Sequence, residues 1–202
     1  MSPRPRKATD DEIFAAAFRV MARTGPAQLT LAGIGAEAGL TAGALVQRFE
    51  SKLGLLRALM RAHTREGPRM FAALRARHRS PLAAVRDYAD CLARMGDSPG
   101  GLAHHLGWLQ LDLSDPVLHA ELRAQSRAGL ESLRALLDDA VAAGEVRRAT
   151  DTRALARAVQ VAAAGSLMTS AALGEPARAA MRRDVDAVLA AHLASRRTGR
   201  VR

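Results

Sequence analysis

Helix-start signals recur along this chain at short intervals, and nothing between them alternates in the way a half-buried strand must. Thr9-x-x-Glu12 has the spacing of a capping box, in which a hydroxyl and a carboxylate satisfy free backbone N–H groups at a helix start. Ile13, Ala17, Val20 and Met21 follow at helical spacing until Gly25-Pro26 ends the pattern. Thr30 and Thr41 can cap two short helices separated by Gly39, and Ser51 can cap a long one. Ser80-Pro81 and Asp115-Pro116 each place a cap before a proline at the first helical position. The residue supply agrees: 44 of the 202 residues are Ala, whereas Ile occurs only twice, a mixture that favours helix over sheet.

The punctuation predicts an all-α chain of about nine helices. The first covers about residues 10–24, and two short ones follow Thr30 and Thr41. A long fourth helix starts near Lys52 and is interrupted or kinked at Gly67-Pro68. The others fall at about 81–96, 102–113, 116–143, 152–173 and 176–195. A disulfide scaffold is excluded by the lone Cys91. The longest uncharged run, Ala158 to Gly174, is 17 residues long and carries Gln160, Ser166, Thr169 and Ser170, so it reads as a buried helix rather than a membrane span. No secretory signal is visible and no membrane partner is expected, which places the protein in the cytoplasm.

The stretch Leu29 to Lys52, LTLAGIGAEAGLTAGALVQRFESK, joins two short helices through Gly39-Leu40-Thr41 with the small Ala38 at the junction. That is the pattern of a helix-turn-helix over about residues 30–49, whose second helix enters a major groove. From Thr9 to Met60 the sequence resembles the TetR family of bacterial transcriptional regulators, through Thr30, Ile34, Ala38-Gly39-Leu40-Thr41, Leu45, Phe49, Ser51-Lys52 and Leu55-Leu56. The resemblance implies a DNA-binding domain at 1–52 and an effector-binding and dimerisation domain at 53–202. It further implies a homodimer on the double-stranded DNA of an inverted-repeat operator, acting as a repressor released by a small-molecule effector.

By position in the family, Ala42, Gly43 and Val46 face base edges with Ala32 nearby, while Thr30, Thr41, Gln47, Arg48 and Lys52 fall at phosphate-contacting places. Gln47 and Arg48 also have the chemistry for bidentate contacts to A or G. Val46 stands where the family very often has Tyr, so an apolar group replaces one contact and DNA shape carries more of the specificity. Gly33 inside the second helix and Gly54 near the start of the fourth are expected to weaken those helices by ~1 kcal/mol each against Ala.

The net charge of +10 does not sit on this module. Residues 1–52 hold seven cations against five acids, including Arg4, Arg6 and Lys7, which read either as an arm for a minor groove or as a solubilising segment. Arg57, Arg61, Arg65 and Arg69 recur four apart, either steering the protein towards DNA or forming a solvated face.

Beyond residue 60 the candidates rest on residue type and on the resemblance. An effector site would draw on Cys91, Met95, His104, His105 and Trp108, with Leu109, Asp112 and Met168. A dimer interface would use Leu155, Ala158, Val159 and Ala162 on one helix and Val185, Val188, Leu189 and His192 on the last. No metal, cofactor or catalytic site is expected. His104, His105, His119 and Asp112 lack the H-E-x-x-H spacing, and there is no Gly-rich phosphate loop or G-x-S-x-G. The alternative to a specific regulator is a helical interaction protein whose degenerate module binds DNA without sequence preference.

Overall fold

A computed structural model describes residues 8–94 and 101–194; within that range the side chains of Ala27, Gly101, Ala103, His104, His105 and Trp108 are not described. Among the described residues there are nine α-helices and one 3₁₀ turn. They are α1 (Asp10–Thr24), the turn Pro26–Gln28, α2 (Leu31–Ala38), α3 (Ala42–Phe49) and α4 (Lys52–Arg77). Then come α5 (Pro81–Ala93), α6 (Gly101–Ser114), α7 (Pro116–Ala142), α8 (Thr152–Leu173) and α9 (Ala177–Ala190). No strand is present among them beyond a single antiparallel bridge between Val146 and Leu193.

The chain divides into two compact units. The first combines the described residues up to His63 with Ala103–Ala124, which places most of α6 and the start of α7 in the same unit as the helix-turn-helix. Its core is Ile13, Ala17, Val20, Leu29, Ile34, Leu45, Leu55, Leu56, Leu59 and Leu118. The second unit holds residues 64–102 and 125–202. Phe71, Leu74, Val85, Tyr88, Leu133, Leu137, Leu155, Val159, Met181, Val185 and Leu189 fill its core.

The caps work as their residue types dictate. Thr9 accepts a hydrogen bond from the Glu12 N–H at 3.2 Å, while Glu12 Oε2 accepts from the Thr9 N–H at 2.8 Å, completing the capping box. Ser80 Oγ accepts from the Ala83 N–H at 3.1 Å, and Glu145 reaches back from the end of α7 to accept from the Leu82 N–H at 2.9 Å.

Three sequence expectations are corrected. The fourth helix runs unbroken through Gly67-Pro68. A proline costs one ladder bond, and burial of Leu55, Leu56, Leu59 and Met60 before it and of Phe71 and Leu74 after it outweighs that loss. The fifth helix ends at Ala93 rather than near 96. The last ends at Ala190 rather than 195, because the chain turns out to form the bridge: the Arg147 N–H donates to the His192 carbonyl and the Ala194 N–H to the Glu145 carbonyl, both at 3.0 Å. His192 therefore lies beyond the helix whose stripe it was expected to extend.

Candidate nucleic-acid interface

Two close approaches fix the angle of α3 within the first unit. A Cβ at Gly35 would come within 2.8 Å of the Leu40 carbonyl oxygen, so α2 and the turn touch backbone to backbone. Gly39 then reverses the chain at φ 69°, and the Leu40 N–H donates to the Gly35 carbonyl at 2.7 Å. At the far end of α3, Glu50 sits at φ 67°, a left-handed conformation uncommon for a side-chain-bearing residue. The corner closes so tightly that a Cβ on Gly54 would lie 2.0 Å from the Phe49 carbonyl oxygen. Gly54 is thus required by the α3–α4 corner, and the expected weakening of α4 is offset by the approach it permits. Its N–H is also capped by Ser51 Oγ at 3.0 Å.

Leu45 anchors α3 through a fully buried side chain, and Phe49 packs at its end against Phe14, with ring centroids 6.0 Å apart. The opposite side of α3 is open: Gly43, Val46, Gln47 and Arg48 are exposed, Val46 at 45 %, and Ala42 is half-buried. Thr30, Ala32 and Thr41 are exposed beside it, with Lys52 half-buried at the start of α4. Thr30 Oγ1 accepts from the Gly33 N–H at 3.0 Å and Thr41 Oγ1 from the Ala44 N–H at 3.1 Å. A hydroxyl used as a cap acceptor keeps its own proton, so both can still donate to a phosphate oxygen.

Two arrangements were not legible in the sequence. Glu37 ties α2 to α1 by accepting from Arg19 Nε and Arg23 Nη2, each at 2.6 Å, and the Arg19 and Arg23 hydrogen bonds hold its carboxyl below the usual carboxylate range. Arg48, expected on phosphate or base, is exposed and reaches across to the start of α1. Its Nη1 donates to the Ala8 carbonyl at 2.6 Å and its Nη2 lies 2.7 Å from Asp10 Oδ1. The arginine stripe of α4 is also partly engaged, since Arg57 and Arg61 converge on Glu121 of α7 at 2.9 and 2.8 Å and Arg69 pairs with Glu66.

Residues 13–59 match the model of the bacterial regulatory proteins of the tetR family. That segment is a TetR-family helix-turn-helix module. Solved structures of similar fold extend the likeness beyond the module. A TetR transcription regulator from Haloarcula marismortui superposes with a TM-score of 0.76 at 18% identity, covering 91% of this chain and 97% of that one. The TetR transcriptional regulator SCO0520 of Streptomyces coelicolor gives 0.65 at 26% identity, with 93% and 99% covered. FadR of Bacillus subtilis, solved in complex with stearoyl-CoA, gives 0.70 at 17% identity, with 89% and 97% covered. No curated protein matches the sequence.

The remaining candidates are dispersed. Cys91 is half-buried on α5 and Met168 is 53 % exposed on α8, both in the second unit. Leu109 is half-buried and Asp112 buried on α6, in the first. Met95 and the side chains of His104, His105 and Trp108 lie outside what is described. Burial alone pushes the Asp112 carboxyl up to about 6, and its Oδ1 finds no hydrogen-bond partner among the described residues. Tyr88 and Gln160, not anticipated, share a 2.7 Å hydrogen bond inside the second unit, and burial is the main cause that takes the phenol up to about 12.

Among the eight residues expected at a dimer interface, Leu155, Val159, Val185 and Leu189 are fully buried within the chain, and Ala162, Val188 and His192 are half-buried. Ala158 alone of that set is exposed. The side of α8 left to solvent carries Ala154, Ala158, Val161, Gly165, Met168 and Ala172, spaced alternately four and three residues apart. Among the described residues no helix is long and apolar enough to cross a membrane.

Proposed function

We propose that this chain is a TetR-family homodimeric repressor that reads an inverted-repeat operator through residues 30–49, with Lys52 on phosphate, and is released by a small-molecule effector bound within residues 53–202. The observation that carries the reading is the division of α3 into a buried side, Leu45, and an open one, Gly43, Val46 and Gln47. A helix held in this way offers its open side to a major groove, while the hydroxyls of Thr30 and Thr41 and the ammonium of Lys52 set register on phosphates. With two nearly side-chain-free positions and an apolar Val46 on that side, DNA shape contributes much of the specificity.

Support for the dimer comes from α8. Ala154, Ala158, Val161, Gly165, Met168 and Ala172 form an exposed apolar line at the four-three spacing with which one helix packs against another. Val161, at 61 %, and Met168, at 53 %, are more exposed than an unpartnered surface favours. The effector then acts by population shift. It stabilises a dimer whose two reading helices no longer match half-sites spaced by whole helical turns of ~34–36 Å.

Selection from a random duplex library with the full chain, at near-physiological salt, tests the reading. An inverted repeat is the expected result. Enrichment of nothing by a folded protein would favour the non-specific interaction module instead, for which the exposed Val46 already speaks. Val161→Glu with Met168→Glu should give a folded monomer by light scattering that has lost most of its operator affinity. A variant that remains dimeric would remove α8 from the interface.

A further inference from the structure

A surface that grips DNA needs cations free to meet phosphates, and the described part of the reading module has few. Residues 8–52 carry four cations, Arg19, Arg23, Arg48 and Lys52, against five acids, Asp10, Asp11, Glu12, Glu37 and Glu50. Arg19 and Arg23 both lie on Glu37 and Arg48 lies on Asp10, so only Lys52 is without a carboxylate partner among the described residues. Any further cationic contact from these residues has to be drawn from an existing pair. The pairs differ in how firmly they are held. Glu37 accepts two guanidiniums at 2.6 Å each, and its side chain is only 22 % exposed. Asp10 holds a single guanidinium nitrogen at 2.7 Å and is 53 % exposed, with Arg48 at 40 %. An exposed single pair adds little to stability and is readily given up.

Arg48 is also the paired cation beside the reading side, one residue after Gln47 in the last turn of α3. Its guanidinium has a second support that carries no charge. Nη1 donates to the carbonyl of the buried Ala8 at 2.6 Å, and Cζ lies 5.8 Å from the Phe49 ring centroid. A carbonyl orients the fork without neutralising it, so losing Asp10 leaves Arg48 aimed and positively charged.

We propose that Asp10 sets the affinity of the module for DNA: its carboxylate stands in for a phosphate on Arg48, and operator binding exchanges the one for the other. The proposal rests on the operator reading above and adds a regulation of that site. Carboxylate and phosphate oxygens accept from a guanidinium in the same way, at about 2.7–2.9 Å. In the exchange the Ala8 contact stays, Nη2 passes from Asp10 Oδ1 to a phosphate oxygen, and Asp10 is released beside the DNA. The positive end of the α1 dipole, where Asp10 is the first residue, stabilises the released carboxylate. The pair brings no net charge to the DNA, so the operator is held less tightly than the same module would hold it without Asp10. A grip limited in this way leaves an effector less to overcome, because a ligand shifts an equilibrium only by its differential affinity.

The test uses the full chain and a duplex carrying the selected inverted repeat. Asp10→Asn should bind it about two- to fivefold more tightly per protomer, the range an exposed pair spans. Its slope of log affinity against log salt should steepen by about 0.9 per protomer, for one more phosphate charge neutralised. Asp11→Asn removes the same charge from the exposed neighbour, which does not hold Arg48, and should tighten binding less. In a chain that already carries Arg48→Ala, the two substitutions should act alike.

Asp10→Asn alters one exposed side chain outside the Thr9 capping box, so it reports even if Arg48→Ala fails to fold. Weaker operator binding by Asp10→Asn overturns the proposal and makes the pair a rigid tie between α1 and α3. An equal gain from Asp11→Asn, or a gain that persists without Arg48, also overturns it, since net charge alone would then be the cause. Failure of the full chain to select an inverted repeat sinks the operator reading beneath it. A selected repeat that Asp10→Asn binds no more tightly sinks this proposal alone.

Discussion

The reading module and the helical unit of residues 64–102 and 125–194 are built from the same material, Ala, Leu and Arg, yet they differ in how their parts touch. In the module, backbone meets backbone. Gly35 lies against the Leu40 carbonyl and Gly54 against the Phe49 carbonyl, with no room for a methyl group at either place. In the helical unit Gly129 and Gly165 have nothing within 4 Å of where a Cβ would stand, and the core is closed by side chains and long-range ion pairs. Asp90, buried at 4 %, receives Arg182 Nε at 2.8 Å and Arg178 Nη2 at 3.0 Å, and these guanidiniums, Arg182 first, hold its carboxyl below the ordinary range. Backbone contacts fix an angle, and a DNA-reading helix needs a fixed angle. Side-chain contacts can be repacked, and that freedom is what the proposed release by an effector would use.

The sharpest way to break this contrast is one methyl group. Gly54→Ala puts a Cβ 2.0 Å from the Phe49 carbonyl oxygen, in a corner whose Glu50 is already at a positive φ. Neither atom is the end of a flexible side chain, so α4 or α3 has to move. The expected loss is about 3 kcal/mol, at the upper end of overpacking costs, seen as a lower urea midpoint with an unchanged slope. Operator affinity should fall further than the stability loss accounts for, since the corner orients α3. A variant as stable as the native chain would mean that the corner is soft and that the contrast between the regions is wrong.

Asp112 sharpens the comparison from a different side, because it brings a charge into the unit that holds the reading module. Its ordinary value of 3.8 is raised to about 6 by burial. Below about pH 4 the folded and unfolded chains both hold the proton, and the group contributes no pH dependence. Between about 4 and 6 the unfolded chain releases it while the folded chain keeps it, so stability falls as pH rises. Above 6 both are ionised and the full cost of a buried carboxylate is present. Asp112→Asn should therefore gain about 1–2 kcal/mol at pH 7.5, less than the shift alone implies because a buried amide also lacks partners. Near pH 4 the variant should match the native chain. Unfolding curves across pH 4–8 measure both, and a gain of equal size at every pH would disprove burial as the cause.

The sequence disclosed what local chemistry controls. Thr9, Thr30, Thr41, Ser51 and Ser80 act within three residues of themselves, and each cap stands where its residue type put it. Gly39 is likewise a local necessity. What stayed hidden was contact between distant positions. Gly54 looked like a weakness because the carbonyl it accommodates belongs to another helix, and Arg48 looked free because Ala8 is 40 residues away. The faces of α8 were misassigned for a different reason. With Ala154, Ala156, Ala158 and Ala162 to Ala164 around its circumference, apolar periodicity does not say which side is core, and only packing assigns Leu155 and Val159 to the inside.

The smallest expected effect probes the permissive half of the comparison. Gly129 sits within α7, at an ordinary helical φ, with no atom within 4 Å of its notional Cβ. There the cost of glycine is that of the unfolded chain's extra freedom, with no packing to offset it. Gly129→Ala should stabilise the protein by about 0.5–1 kcal/mol, the same substitution as at Gly54 with the opposite sign. Since Gly129 touches neither the reading helix nor the exposed line of α8, the selected operator should be bound as before. A stabilised protein that binds DNA normally but responds to its effector at higher concentration would connect the looseness of α7 to release. A destabilised one would mean that the space beside Gly129 is filled by a partner, and the line along α8 would then be only part of the proposed interface.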